Sequence, residues 1–319
     1  MMMKKLLSVM LSVMLLLTAA ACAVADEPVR IWALKGPTGV GLVKMMNDND
    51  GSYAFTLAGA PDEVVGAIAS GNADIAAVPI NLAATLYNKT GGNVQLVALN
   101  TLGVLHILST DPEIDTLEEL RGKTIYATGQ GSTPEYVLSY ILEAAGIADE
   151  VKVEYKAEHA ELATLAASGK VDLVMLPEPN VTSVLTQNPA MGMVMDVTAL
   201  FEQAAAAKGE DTRLAMGCVI VRKDWAAANP EKLAQVMAQY ADSVAFVNEN
   251  VDEASQMVEA QGIIPKAAVA KKAIPNCHIV FVSGEEMKTA IAPFYQLLFD
   301  ANPKSVGGKL PADDFYYSP

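Results

Sequence analysis

Two glycine-containing segments of this sequence have the composition of a site for a small polar or anionic ligand. Residues 35–39 and residues 129–135 each follow an apolar strand pattern and precede a helical pattern. Glycine lets a backbone approach a ligand closely, and the free N–H groups at a helix start attract negative charge. Each segment could instead be an ordinary capped turn between a strand and a helix. The candidate ligand-binding residues in them are Lys35, Gly36, Pro37, Thr38, Gly129, Gln130, Gly131, Ser132 and Thr133.

Two turns that contain proline provide a second pair of candidate contacts. Each turn ends a short apolar strand and begins a helix, so that a polar side chain is directed outward. Glu178, in the second turn, could receive an amine, an amidine or an aminopyrimidine, or it could cap its own helix. The candidate ligand-binding residues in these turns are Pro79, Ile80, Asn81 and Glu178.

Four further residues are candidates because of their position beside predicted strands. Trp32 and Tyr126 occupy matching places near strand ends, where a flat ring could stack on a planar ligand or could belong to the core. Asn100 and Thr101 lie on the segment that leaves the first half of the chain, and both offer polar side chains.

Residue patterns typical of catalysis or of a metal site are not found in the sequence. It contains no G-x-S-x-G or H-E-x-x-H motif, and neither Cys218 nor Cys277 has an evident histidine partner. We interpret both cysteines as free thiols, and His106, His159 and His278 as ordinary surface or core residues. The glycine segments lack the Lys-Ser/Thr ending of a nucleotide phosphate loop, which argues against ATP. We therefore expect no catalytic residue, no metal and no cofactor.

A repeated segment indicates how the candidate residues are positioned. Residues 61–79 and 159–177 share a helical pattern, a Ser-Gly stop and a short apolar strand ended by proline, 98 positions apart. A second similarity, at an offset of 94, relates residues 31–33 to residues 125–127. Two α/β lobes of similar build are predicted, and a cleft between two domains is a common place for a small ligand.

Strand and helix patterns alternate along both halves of the chain, which predicts a parallel sheet in each lobe. Residues 26–102 and 217–319 are predicted to form lobe one, and residues 103–216 lobe two. An apolar strand at 216–221 returns the chain to lobe one, and the remainder is predicted to be nearly all helical. The predicted strands are 29–34, 53–58, 74–78, 94–99, 123–127, 151–155 and 172–176. The predicted helices include 38–47, 61–70, 81–88, 133–145, 158–168, 230–250, 252–261, 265–274 and 284–300.

The N-terminal region has the features of an export signal. Two lysines precede an apolar run and then small residues, over residues 1–25. Cleavage after Ala25 would leave Asp26 first, whereas cleavage before Cys22, in a sequence similar to a bacterial lipobox, would leave an acylated cysteine. We favour lipidation of Cys22, with the protein exported and either anchored on the outer face of the membrane or periplasmic.

The composition argues against one class of partner. The formal net charge is −15, with 37 acidic against 22 basic side chains. Nucleic acid is therefore an unfavourable partner, because its phosphates would be repelled. We interpret the spread of acidic residues over helix faces as a source of solubility outside the cell.

Several of these stretches together resemble bacterial ABC-transporter substrate-binding proteins of the periplasmic type II class. The chain is similar to the branch that includes nitrate, taurine, sulfonate and thiamine-precursor binding proteins. The similarity covers nearly the whole mature chain, through the signal end at Cys22 and residues 34–39, 69–76, 117–125, 129–135, 176–179 and 229–231.

The resemblance implies a two-lobed α/β fold in which each lobe is a sheet flanked by helices and two hinge crossings join the lobes. It also implies a monomer that captures a small polar molecule by hinge closure and delivers it to a membrane permease with its ATPase subunit. By position, the strand-to-helix loops and Glu178 would hold the ligand. Two facing helix starts favour an anionic group, whereas Glu178 favours a cationic one. A zwitterion or an aminopyrimidine-like heterocycle would satisfy both.

Two other functions are compatible with the same fold. Enzymes that make the pyrimidine precursor of thiamine resemble it, but they need a catalytic histidine and a metal arrangement and are not expected to carry an export signal. A binding protein that presents its ligand to a sensor is the other alternative.

Overall fold

The computed structural model describes residues 27–318 as two α/β lobes, each a sheet flanked by helices. The predicted signal peptide, its two cleavage points and Cys22 lie outside the described residues. No helix in the described part of the chain is long and apolar enough to cross a membrane.

Strands and α-helices alternate over most of residues 27–318, as the sequence predicts. The strands are β1 (Val29–Leu34), β2 (Tyr53–Ala58), β3 (Ile75–Pro79), β4 (Val94–Leu102), β5 (Leu105–Ser109), β6 (Thr124–Thr128), β7 (Lys152–Lys156), β8 (Leu173–Pro177), β9 (Gly192–Asp196), β10 (Ala215–Arg222) and β11 (Ile279–Ser283). The α-helices are α1 (Pro37–Val40), α2 (Val43–Asn47), α3 (Pro61–Ala69), α4 (Ile80–Lys89), α5 (Thr133–Ala144), α6 (His159–Ala167), α7 (Asn180–Gln187), α8 (Val197–Ala207), α9 (Lys223–Ala228), α10 (Pro230–Glu249), α11 (Val251–Ala260), α12 (Ala267–Ala273) and α13 (Gly284–Ala301).

The first lobe is built on a six-stranded sheet with the strand order β11-β4-β10-β3-β1-β2. Strands β1, β2 and β3 are parallel, and β10 is antiparallel to both of its neighbours, β3 and β4. The second lobe is a five-stranded sheet with the order β7-β6-β8-β5-β9, in which β6, β7 and β8 are parallel. In both lobes the strands that precede the predicted ligand loops are inner strands of the sheet and are parallel to each other. The loops therefore lie together at the carboxyl ends of these strands.

The internal repeat forms equivalent elements in the two lobes. Helix α3 and strand β3 are separated by 98 positions from helix α6 and strand β8. Both strands are apolar and almost entirely buried, as expected for inner strands of a sheet that is covered on both faces. The two aspartates of the repeat differ in environment. Asp74 is buried and pairs with Arg30, at 2.5 Å between Oδ1 and Nη2, whereas Asp172 is exposed.

Some predicted elements differ from the observed ones. The predicted helix 38–47 is two short helices, and Gly41, which lies between them, is so close to Tyr240 that a Cβ there would lie 2.7 Å from the tyrosine hydroxyl. The prediction that the chain after residue 230 is nearly all helical is wrong at β11, an edge strand whose Val and Phe side chains favour extended structure. The sequence patterns also do not predict β5, β9, α8 or α9.

Within residues 27–318, the chain passes between the two sheets twice. The first crossing is Gly103–Val104, between β4 and β5, and the second is residues 208–214, between α8 and β10. Gly103 is buried against the side chain of Thr198, and a Cβ at this position would overlap the Thr198 hydroxyl. Strand β10 begins at Ala215, two residues before the predicted boundary of lobe one.

Candidate functional site

A cavity of about 480 Å³ lies between the two lobes. Its volume suits a small molecule rather than a polymer. Residues of the first lobe that line it are Leu34, Lys35, Gly36, Pro37, Thr38, Pro61, Pro79, Asn81, Leu82, Thr101 and Met216. Residues of the second lobe and of the first crossing that line it are Val104, Gly129, Ser132, Thr133, Pro134, His159, Pro177, Glu178, Pro179 and Asn180.

The first glycine segment lines the cavity, in a loop held by backbone hydrogen bonds. Gly36 has a φ of 93°, in the left-handed region that glycine adopts without strain, and its N–H donates to the carbonyl of Ile263 at 3.1 Å. Asn100 does not line the cavity. It is 1% exposed, and its side-chain amide donates to the carbonyl of Thr38 at 3.1 Å, so it holds this loop in place.

The second glycine segment leaves a hydroxyl group unpaired at the cavity. The Ser132 hydroxyl donates to the carbonyl of Gly129 at 2.7 Å and therefore does not cap helix α5. The Thr133 hydroxyl is buried and has no hydrogen-bond partner within residues 27–318. A buried unpaired hydroxyl is unfavourable, so a ligand that supplies the missing partner gains free energy. The start of α5 thus offers the Thr133 hydroxyl to a polar or negatively charged group, whereas the N–H groups of Ser132, Glu135 and Tyr136 already donate to backbone carbonyls.

His159 lines the cavity, although the sequence interpretation gave it no binding role. It begins helix α6, and its Nδ1 shares a 2.6 Å hydrogen bond with the Thr128 hydroxyl. The side chain is exposed on the cavity side, but the neighbouring protein atoms partly desolvate the ring. This desolvation lowers the pKa of the ring. A neutral imidazole with Nδ1 engaged keeps Nε2 available to a ligand, since the imidazole makes no other hydrogen bond within residues 27–318.

Glu178 places a carboxylate at the floor of the cavity, where it is 1% exposed. It caps helix α7, because Oε2 accepts from the N–H of Thr182 at 3.1 Å and Oε1 from the Thr182 hydroxyl at 2.9 Å. Asn276 of the first lobe donates to Oε1 at 3.2 Å. Burial raises the pKa of the Glu178 carboxyl, while the hydrogen bonds from Thr182 and Asn276 act in the opposite direction. Among the described residues, no lysine, arginine or histidine forms an ion pair with it.

Six of the predicted contact residues do not line the cavity, and one of them, Tyr126, packs against the core of the second lobe. Asn100 is another, and Trp32 packs against the hydrophobic core of the first lobe, so the stacking role that its position suggested has no support. Ile80 is fully buried at the start of α4, because the apolar side chain faces the core rather than the cleft. Gln130 and Gly131 are exposed outside the cavity, since the turn of this segment carries them into solvent.

Prolines form much of the cavity wall, and only two of them, Pro37 and Pro79, are among the contacts predicted from the sequence. Pro37, Pro61 and Pro134 each lie in the first turn of a helix, and Pro79, Pro177 and Pro179 stand where strands β3 and β8 lead into helices. The ring fixes φ, so these wall segments lose little conformational freedom when a ligand binds. Proline at a helix start that follows a parallel strand is a sequence signal that could have identified Pro61 and Pro134.

The arrangement is suited to binding charged groups. Lys35 is the one lysine or arginine among the described residues that line the cavity, and Glu178 is the one carboxylate. Within residues 27–318, no group of three or more His, Cys, Asp or Glu side chains could hold a metal ion. Cys218 and Cys277 are buried free thiols away from the cavity lining.

Comparisons with known proteins relate both the sequence and the fold to transport proteins. A family model described as "ABC transporter, phosphonate, periplasmic substrate-binding protein" matches residues 48–271. No curated protein matches the sequence.

Solved structures match the fold over most of the chain. An ABC transporter protein from Parabacteroides distasonis is 22% identical, with a TM-score of 0.79, over 92% of this chain and 99% of that one. The periplasmic aliphatic sulphonate binding protein SsuA from Escherichia coli is 17% identical, with a TM-score of 0.71, over 92% and 93%. The alkanesulfonate-binding protein SsuA from Xanthomonas axonopodis pv. citri, bound to MOPS, is 17% identical, with a TM-score of 0.63, over 91% and 96%. These similarities confirm the predicted two-lobed fold.

Proposed function

This chain belongs to a family of periplasmic substrate-binding proteins of ABC transporters whose description names phosphonate, and we propose that its interlobe cavity captures a small zwitterion. The zwitterion would carry a tetrahedral phosphonate or sulfonate group at one end and an amine at the other. As the substrate-binding component of an importer, the protein delivers its ligand to a membrane permease whose ATPase subunit drives import. Closure of the two lobes would retain the ligand in the cavity until it is delivered to the permease.

The anionic end is assigned to the second glycine segment and the residues that face it. Thr133 offers an unpaired buried hydroxyl at a helix start, His159 offers a free ring nitrogen, and Lys35 supplies positive charge from the opposite lobe. A tetrahedral oxyanion has three acceptor oxygens and can accept all of these hydrogen bonds together. The phosphonate named in the family description, and the sulfonates named for two of the matching structures, both carry such a group.

The cationic end is assigned to Glu178, and this residue carries the proposal. A carboxylate that is 1% exposed and has no positive partner within the described residues is unfavourable when ionised. Three hydrogen bonds offset part of that cost, and a bound amine would supply the missing charge. One cavity that contains both this carboxylate and an unpaired hydroxyl at a helix start favours a ligand with both charges.

A matched series of small molecules tests the proposal by isothermal titration calorimetry on the purified mature protein. The series is 2-aminoethylphosphonate, 2-aminoethanesulfonate, ethylphosphonate and ethylamine, with thermal unfolding as a second readout. We expect at least one aminated acid to bind about tenfold or more tightly than both molecules that lack one charge. Equal affinity for ethylphosphonate and the aminated phosphonate, or absence of binding across the series, would contradict the proposal.

The remaining assignments are proposals about the protein outside the cavity. We infer lipidation at Cys22, action as a monomer, and lobes formed by residues 26–102 with 217–319 and by residues 103–216. Cell fractionation tests the anchor: the wild type should be found with the membranes, and the Cys22→Ala variant should be found in the soluble fraction.

We also propose that the protein is not an enzyme. Steady turnover of a bound ligand in the absence of the permease would favour the pyrimidine-precursor synthase alternative instead.

A further inference from the structure

Residues 276–278, a short segment of the first lobe before β11, contact both the first hinge crossing and the floor of the cavity. The carbonyl of His278 accepts from the N–H of Leu102 at 3.1 Å, and Nδ1 of His278 donates to the carbonyl of Gly103 at 2.6 Å. From the same segment, Asn276 donates to Glu178 in the second lobe. We call residues 276–278 the hinge segment.

Two observations show that the hinge segment holds a defined conformation. His278 has a φ of 45°, in the left-handed region that residues other than glycine rarely adopt. Such a backbone persists only where its surroundings fix it, and here its carbonyl and its ring both bond to the crossing. Helix α12, just before the segment, also packs against α7 of the second lobe. The Asn276 amide is therefore presented to Glu178 from a fixed position.

The hydrogen bonds of Glu178 divide between the two lobes. Two of them come from Thr182, on the helix that Glu178 itself caps, and they are independent of how the lobes are placed. The third comes from Asn276, whose side chain belongs to the opposite lobe. Among the described hydrogen bonds of this carboxylate, only the Asn276 bond breaks when the lobes separate.

We propose that Asn276 is a positioning residue that acts through Glu178 and couples the positive charge of a bound ligand to lobe closure. The inference rests on the proposed function, because it requires an amine at Glu178. A bound amine keeps the carboxylate ionised, and an ionised acceptor makes a stronger hydrogen bond than a neutral one. The bridge from Asn276 is thus strengthened by a ligand that carries an amine, and it gains nothing from a ligand that carries only the anionic group. Specificity and closure then depend on the same carboxylate.

Two substitutions of Asn276 and one matched control test this coupling. Asn276→Ala removes the donor, and Asn276→Leu removes it while keeping the side-chain volume. Asn248→Ala is the control, because Asn248 also donates from its side chain, to the carbonyl of Ile279 at 2.9 Å, but within the first lobe. Calorimetry with 2-aminoethylphosphonate and ethylphosphonate measures affinity, and small-angle X-ray scattering with each ligand measures the radius of gyration.

We expect both Asn276 variants to bind the aminated phosphonate about tenfold more weakly and ethylphosphonate with unchanged affinity. The ligand-induced decrease in radius of gyration should shrink for the aminated ligand only, and Asn248→Ala should behave as the wild type. Equal weakening for both ligands would show a merely structural role and overturn the inference. If the wild type prefers the aminated ligand and the Asn276 variants keep that preference, the inference fails while the proposed function stands. If the wild type shows no preference, the proposed function fails.

Discussion

The side-chain amide of Asn100 donates a 3.1 Å hydrogen bond to the backbone carbonyl of Thr38, which joins strand β4 to the loop that forms one wall of the cavity. The Asn100 carbonyl oxygen accepts from the Thr101 hydroxyl at 3.1 Å, and Thr101 itself lines the cavity. One buried amide therefore supports two cavity residues at the start of the hinge. A residue predicted to touch the ligand instead holds the residues that line its cavity.

Replacing Asn100 with alanine should weaken both the fold and ligand binding. The change leaves the Thr38 carbonyl and the Thr101 hydroxyl without this partner, which costs about 1–3 kcal/mol when the groups are buried. Urea unfolding should show the loss of stability, and calorimetry should show weaker binding of the aminated phosphonate. Asn188→Ala is the control, because it removes an amide-to-backbone hydrogen bond inside the second lobe, to Ala166. If Asn100→Ala binds ligand as the wild type does, Asn100 does not position the loop.

Glu178→Gln should remove most of the preference for an aminated ligand. Glutamine has nearly the same shape, and its one amide oxygen can still accept from the Thr182 hydroxyl, but it loses the acceptor for the Thr182 N–H and has no charge for the amine. We expect binding of 2-aminoethylphosphonate to weaken about tenfold to a hundredfold, with ethylphosphonate bound as well as or better than before. Unchanged affinity for the aminated ligand would exclude the role of this carboxylate.

The same substitution should change how stability depends on pH. Burial raises the pKa of the Glu178 carboxyl, so the folded protein holds this proton more tightly than the unfolded chain does. The stabilising contribution is then complete below the ordinary glutamate pKa of about 4.3 and is lost as the pH rises through the raised value. Without ligand, Glu178→Gln should therefore gain stability relative to the wild type as the pH rises above about 4.3. Urea titrations from pH 4 to pH 8 measure the free energy of unfolding of both proteins. If this free energy changes with pH in the same way for both, the assignment is contradicted.

His159→Ala should weaken binding of the anionic group, and its effect should depend on pH. Desolvation lowers the pKa of the free ring, and an anion beside it favours the protonated form, so binding takes up a proton. In the Glu178→Gln background, affinity for ethylphosphonate should therefore rise as the pH falls below about 6.5. Calorimetry in buffers of different ionisation enthalpy measures the proton uptake. Adding His159→Ala should abolish it, and uptake that persists would assign the proton to another group.

The repeat shows how much of the site could be predicted from the sequence. Pro61 and His159 occupy equivalent positions 98 residues apart, and both line the cavity. The same offset relates Pro79 to Pro177 and Asn81 to Pro179, and all four of these residues line the cavity too. The symmetry of the two lobes therefore relates most of these positions, and it relates His159 to Pro61, but it fails at Ile80, which is buried in the core while its equivalent Glu178 lines the cavity.

Other features lay beyond sequence patterns because they depend on contacts between distant segments. Asn276 reaches Glu178 only after the C-terminal half of the chain returns to the hinge. Trp32 is half-buried and packs against the hydrophobic core, and the alternation of buried and half-buried residues along β1 does not distinguish a core contact from a cleft contact. The edge strand β11 has a short run of β-branched residues between helices, and its pairing with β4 is what makes it a strand.

Gly103→Ala tests the first hinge crossing. A Cβ at residue 103 would overlap the side chain of Thr198, which is buried and whose hydroxyl has no partner within residues 27–318. Because interiors are close-packed, the overlap should destabilise the protein by about 1–3 kcal/mol and hinder lobe closure. Thr198→Ala removes the hydroxyl and methyl groups that the new Cβ would meet, so the double variant should recover part of both losses. Urea unfolding and scattering with ligand, applied to the single and double variants, measure the coupling. Strictly additive effects would show that Gly103 is not required for its close contact with Thr198.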